Sequence, residues 1–211
     1  MSKAYNTFKL TFTRSQDQVA LYQRLRNMRF VKEPKRLSHD ELSDLLRSAV
    51  VLGVSSMDMY FTDSFVEHLV PFLKKQGSNP ALVNFLEKCG LGAEVALDMV
   101  TMQRPYRRIR TLVDAYLDNY TTQREDVVNG LFKPYGITDL CGKAQSKAKR
   151  SNLLKRIRKL TERRHLIAHK GDLNDHNKPK AISSDEVSKL LKDLDLFIRS
   201  ADQVIVDCLK L

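Results

Sequence analysis

The chain has 211 residues, 42% hydrophobic and 29% charged, enough for one domain with a full apolar core and too balanced in composition for a disordered segment. No apolar run reaches the roughly 18 residues that cross a bilayer, and the opening MSKAYNTFKLTF lacks the apolar core of a signal peptide, so the expected location is the cytoplasm. A net charge of +11 favours a polyanionic partner, while three widely spaced cysteines, Cys89, Cys141 and Cys208, argue against a disulfide framework or a cysteine zinc site.

Almost every segment after residue 14 repeats its apolar residues at threes and fours, so the expected fold class is all-α. Only NTFKLTFT, residues 6–13, alternates with the period of a strand. A short first helix is expected from Ser15, where SQDQ resembles a capping box, to a point before Pro34. A second capping box at Ser38 opens a long helix that carries Leu42, Leu46, Val50, Met57 and Phe61 on one side and runs to about Pro71 or Lys75. This is the expected central element. Residues 1–37 read as an extension with a short helix, and residues 38–211 as an up-and-down helical bundle.

Asn79-Pro80 starts a short helix that Gly90 ends. Another spans about Ala93–Gln103, and Pro105 opens a helix with Ile109, Val113 and Leu117 on one side and arginines on the other. Lys133-Pro134-Tyr135-Gly136 is a break. A basic helix is then expected from about Lys147 to Lys170, stopped by Gly171. After the polar loop 171–182, a last helix from Ser183 or Ser184 carries an almost continuous apolar stripe from Val187 to Cys208, suited to a core or a dimer face.

The charge is concentrated. Residues 143–164 hold ten basic side chains and one acid, Glu162, and Arg104, Arg107, Arg108 and Arg110 form a second group. Such a field favours nucleic acid. Arg163, Lys170, Lys159, Arg156, Arg107 and Arg108 are the expected RNA-binding residues.

The basic helix closes on RRHLIAHKGD, residues 163–172. At about 100° per residue, His165 and His169 share a face, whereas Arg164 and His169 diverge by roughly 140°. A long arginine side chain and a tightened last turn before Gly171 would let Arg164 and His169 meet on one ligand. If that ligand is a phosphodiester, the set is chemically useful. A neutral imidazole accepts the proton of a ribose 2′-hydroxyl, the oxygen attacks the adjacent phosphorus, and guanidinium stabilises the added negative charge. His165 would orient the phosphate or protonate the leaving 5′-oxygen. The product is a 2′,3′-cyclic phosphate, no cofactor or metal is needed, and DNA is not a substrate.

Arg164-His165-Leu166-Ile167-Ala168-His169 resembles the R-x(4–6)-H signature of the HEPN superfamily. The long helix with VVLGVSSMDMYFTD (residues 50–63), the RRHLIAHKGD helix end and the final helix resemble the bacterial RiboL-PSP-like HEPN proteins over roughly residues 38–209. The resemblance implies a dimer with two motifs facing a shared cleft and metal-independent endoribonuclease activity, commonly in toxin-antitoxin or phage-defence systems. It also implies a cognate antitoxin or defence partner. Arg164 and His169 take the catalytic roles and His165 the assisting one. An acidic residue on the long helix supports the motif in several such proteins, and Asp58 fits better than Tyr60: it interrupts an apolar stretch, and a buried carboxylate there requires a partner such as Arg164.

Three other readings stay open. His165 and His169 have zinc-ligand spacing, with Asp172 or His176 as a third donor, but HLIAH lacks the glutamate of a metalloprotease motif. A non-catalytic module binding RNA, nucleotide or a protein would keep the fold without the reaction. Finally, His169 can serve as a cationic helix C-cap with the arginines solvated.

Overall fold

The computed structural model describes residues 1–27 and 39–210. Among them lie helices α1 (Lys3–Asn27), α2 (His39–Gln76), α3 (Pro80–Lys88), α4 (Ala93–Val100) and α5 (Pro105–Leu117). After these come α6 (Glu125–Phe132), a single 3-10 turn Lys133–Tyr135, α7 (Leu140–Lys147), α8 (Leu153–Lys170) and α9 (Ser184–Leu209). The all-α expectation holds, with no strand among the described residues; Leu173 and Pro179 make one isolated antiparallel bridge.

The long helix α2 is the centre, packed by α1, α5, α6, α8 and α9. Its Leu46, Ala49, Val50, Val54, Met57 and Phe61 are buried at the helical spacing read from the sequence. Phe61 meets Phe132 of α6 and Phe197 of α9 edge-on, with ring centroids 6.2 and 6.0 Å away. The break at residues 133–136 folds into the same core: Tyr135 stacks on Phe65 at 4.6 Å, and its hydroxyl donates to the Phe65 carbonyl. The α9 stripe from Val187 to Ile205 is buried within the chain, so it is core; Cys208 alone falls on the exposed side.

Two sequence expectations are corrected. The first helix begins at Lys3, twelve residues before Ser15, and the segment 6–13 is helical. Phe8, Phe12, Ser15, Val19 and Tyr22 are all buried, and their three- and four-residue spacing outweighs the alternation. Ser15, expected to be a cap, is interior, and its hydroxyl donates to the Ala49 carbonyl of α2 at 2.8 Å. The expected helix end before Pro34 and the Ser38 cap lie outside the described residues. The buried side chains of α1 join one core with those of α2 and α9.

The basic helix is also shorter than expected. Lys147 ends α7, Lys149 has φ +52°, and α8 begins at Leu153. The intervening turn changes the chain direction: α7 packs against α9 and α8 against both α2 and α9. The start of α8 is held by Gln145, whose side-chain oxygen accepts the Leu154 N–H at 3.0 Å.

Candidate functional site

The apolar face of α8 is built from Leu153, Ile157 and Leu160, all buried. The next position in that three- and four-residue series is 164, where the sequence places arginine instead of an aliphatic residue. Arg164 is half-buried, and its Nε is buried with no hydrogen-bond partner among the described residues. A buried donor without a partner costs about 1–3 kcal/mol, more when charged; the Nε of Arg163 is in the same state, but that guanidinium bonds Asp172 through a terminal nitrogen. His165 and His169 lie on the neighbouring, exposed face with ring centroids 4.7 Å apart.

The helix remains α-helical through Lys170, so the last turn is not tightened. Gly171 adopts φ +60°, and the N–H groups of Gly171 and Asp172 both donate to the Leu166 carbonyl. A regular helix brings the two histidines together and keeps Arg164 on the adjacent flank, about 140° from His169.

What fixes this helix end is a cluster that the sequence did not announce. Asp172 is fully buried at 0% exposure, with φ +55°. Its Oδ2 accepts from Arg47 Nε at 2.8 Å and from an Arg163 terminal nitrogen at 2.7 Å. The same two guanidiniums donate to the Lys180 carbonyl, and Arg163 also to that of Ala181. Lys180 N–H returns a bond to the Asp172 carbonyl at 2.8 Å. One carboxylate therefore ties α2, the end of α8 and the 171–181 loop together.

The expected RNA-binding residues on α8 have intrachain partners. Arg163 faces Asp172 and the loop and ties them to the helix. Arg156 is paired with buried Asp193 of α9, which Arg150 also meets. Lys159 is paired with Glu186, and that contact holds the Glu186 carboxyl below its ordinary value. Lys147 with Asp207 and Arg158 with Glu125 complete the pattern, so six of the ten basic residues in 143–164 already have acidic partners. Lys170 is exposed at the helix end, and Arg107 and Arg108 are exposed on α5, whose packing is against α2 and α4.

Asp58 does not reach Arg164. Its carboxylate accepts from the Thr122 N–H and hydroxyl and from Gln123 Nε2 at 2.6 Å. Asp58 thus fastens the segment before α6 to α2. The sequence logic was right that a half-buried carboxylate on α2 needs donors, but the donors come from a loop 64 residues away. Asp172, offered as a third zinc donor beside the histidines, is fully buried, with both guanidiniums on its Oδ2.

Sequence reading missed Arg47 and Asp172 as a pair. The available signals were a single arginine within the apolar run DLLRSAVV and an aspartate directly after the helix-stopping glycine. Nothing local connects them, since they lie 125 positions apart.

The family described as RiboL-PSP-HEPN matches residues 20–207 of the chain. No curated protein matches, and neither does any solved structure.

Proposed function

The chain belongs to the RiboL-PSP-HEPN family, and from that premise we propose that it is a metal-independent endoribonuclease acting on RNA in the cytoplasm. The observation that carries the reading is the end of α8: two exposed imidazoles 4.7 Å apart beside an arginine whose Nε is buried without an acceptor among the described residues. That is a base, an acid and an anion receptor within one helical turn and a half.

In the reaction, His169 takes the proton of a ribose 2′-hydroxyl, and the oxygen attacks the adjacent phosphorus. Arg164 hydrogen-bonds the phosphorane oxygens, where guanidinium is worth most because it is partly desolvated and already positioned. His165 gives a proton to the departing 5′-oxygen. One P–O bond forms and one breaks, leaving a 2′,3′-cyclic phosphate and a 5′-hydroxyl.

The 140° divergence of Arg164 and His169 on a regular helix supports a homodimer in which two copies set their motifs across a shared cleft. Each phosphate would then meet the arginine of one copy and the histidines of the other. Lys170 is the exposed cation nearest this helix end in sequence, and Arg107 and Arg108 extend the positive surface on α5. A toxin-antitoxin or phage-defence role, with a cognate restraining partner, fits an enzyme of this kind.

A second reading, a HEPN module that binds RNA, nucleotide or protein without cleaving, is favoured by one observation: most of the charge on α7 and α8 is spent on intrachain acids. Incubation of the purified chain with RNA in EDTA separates the two. The ribonuclease reading expects cleavage in chelator, a cyclic-phosphate end, and loss of cleavage in both His169→Ala and Arg164→Ala. Binding without cleavage selects the second reading, and a 3′-hydroxyl product would refute the cyclic-phosphate route.

A further inference from the structure

Beside the candidate site, the groove between α8 and the segment that Asp58 fastens opens into a cleft of about 600 Å³. Met57, Leu154, Ile157 and Phe197 supply apolar lining, and Gln123, Arg124, Asp126, Arg158 and Glu162 are among its polar groups. That size, with apolar walls and a few polar groups, is typical of a site for a small organic ligand. Cys141 also lines it, and burial pushes its thiol up to about 12, so it acts there as an apolar surface instead of a nucleophile.

The position of the cleft identifies the ligand. On α8 it is lined by Leu154, Arg158 and Thr161, spaced by four and three, and the next residue of that series is His165. The face that forms the cleft wall therefore runs directly into the face that carries the histidine pair. Thr161 and His165 are one turn apart, about 6 Å along the axis, and Arg158 and His165 roughly 10 Å. A single strand of RNA with a phosphate at the histidines has its neighbouring nucleotide at the cleft. Unstacked bases of single strands are the parts of RNA that proteins read, by burial against apolar side chains and by hydrogen bonds to base edges.

The polar groups favour some bases over others. Gln123 is fixed through its Nε2 by Asp58, and no bond occupies its Oε1 among the described residues. Arg124 is paired with Asp126, and Arg158 with Glu125. Glu162 is exposed and has no ion pair among the described residues. The lining groups left without a partner among the described residues are Gln123 Oε1 and the Glu162 carboxylate, acceptors that match an exocyclic amino group, which uracil lacks.

We infer that this cleft is a nucleobase subsite, selecting a base with an exocyclic amino group next to the scissile phosphate. The inference rests on the ribonuclease reading for its role, but its test does not depend on cleavage. Nucleoside 5′-monophosphates are titrated into the full chain, and the methyl signals of Met57 and Ile157 are followed by NMR.

AMP, CMP and GMP are expected to shift these signals and to bind about five-fold or more tightly than UMP. Glu162→Gln, an exposed change that removes the carboxylate charge but keeps one acceptor oxygen, should lower that ratio. Leu154→Trp should fill the cleft and remove the binding. Absence of methyl shifts with all four nucleotides, equal affinity for UMP, or an unchanged ratio in Glu162→Gln each overturns the subsite. RNA cleavage in EDTA with no such shifts sinks the subsite alone, whereas shifts without cleavage sink the ribonuclease reading and leave the subsite standing.

Discussion

Replacing Asp172 by alanine is expected to be among the most damaging single changes at the candidate site. The carboxylate is fully buried and accepts from two guanidiniums at 2.8 and 2.7 Å, whose side chains are only 10% and 24% exposed. Its removal strands Arg47 and Arg163 in a dry pocket, and stranding one partner of a buried ion pair costs about 3–5 kcal/mol. Arg47 keeps its bonds to Ser43 and Asp44, and both arginines keep the Lys180 carbonyl, which places the expected loss near the lower end, about 3 kcal/mol. For a chain of this size, that corresponds to a fall in Tm of roughly 6–12 °C. The assay is urea unfolding followed by circular dichroism, where the midpoint should drop with the slope unchanged. In hydrogen exchange, amides of 171–181 should lose protection first, because the loop is tied down by this carboxylate. A double-mutant cycle with Arg47→Ala should show strong coupling. A loss below about 1 kcal/mol, or additive effects in the cycle, would refute the claim that Asp172 holds α2 and α8 together.

Two further predictions concern the bundle around the site. Gly53 sits where α2 meets α1 and α9, and a Cβ there would lie 2.6 Å from Leu191 Cδ2 and 3.3 Å from Ser15 Oγ. Gly53→Ala is expected to cost roughly 1–3 kcal/mol by overpacking, measured as a lower urea midpoint, and an unchanged midpoint would show that Leu191 moves freely. Asp63 is raised above the ordinary carboxylate value by partial burial and by the charges of Asp114 and Glu67. A raised folded value means the folded state binds the proton more readily than the unfolded one, so the destabilisation is present at neutral pH and vanishes as pH falls below the ordinary carboxylate range. Asp63→Asn should therefore raise Tm at neutral pH and lose that advantage near pH ~4, by scanning calorimetry at both values; a gain independent of pH would point to a cause other than charge.

The local rules of the sequence determined the start of α3, the end of α8 and the histidine pair. Asn79 caps α3, with its side-chain oxygen accepting the Leu82 N–H, and Gly171 stops α8 in a left-handed conformation. His165 and His169 meet because four residues bring any helical pair to one face. No tertiary contact is needed for that. The α1 boundary was ambiguous in sequence because Phe8, Leu10 and Phe12 satisfy a strand's alternation while Phe8 and Phe12 also satisfy a helix's spacing. Packing against α2 decided it, leaving Phe8 and Phe12 fully buried and Leu10 exposed.

Tertiary structure alone decided the electrostatics. A run of ten basic residues reads as an exposed positive surface, yet Arg156 and Arg150 meet Asp193, Lys147 meets Asp207, and Arg163 meets Asp172. Likewise Asp58 turned from Arg164 to Thr122 and Gln123. Charge interactions act over a few ångströms of space whatever the separation along the chain, so a sequence states which charges exist but not which are spent. Among the described residues Arg163 meets Asp172 whereas Arg164 has no ion pair, a difference between adjacent arginines that only the fold decides.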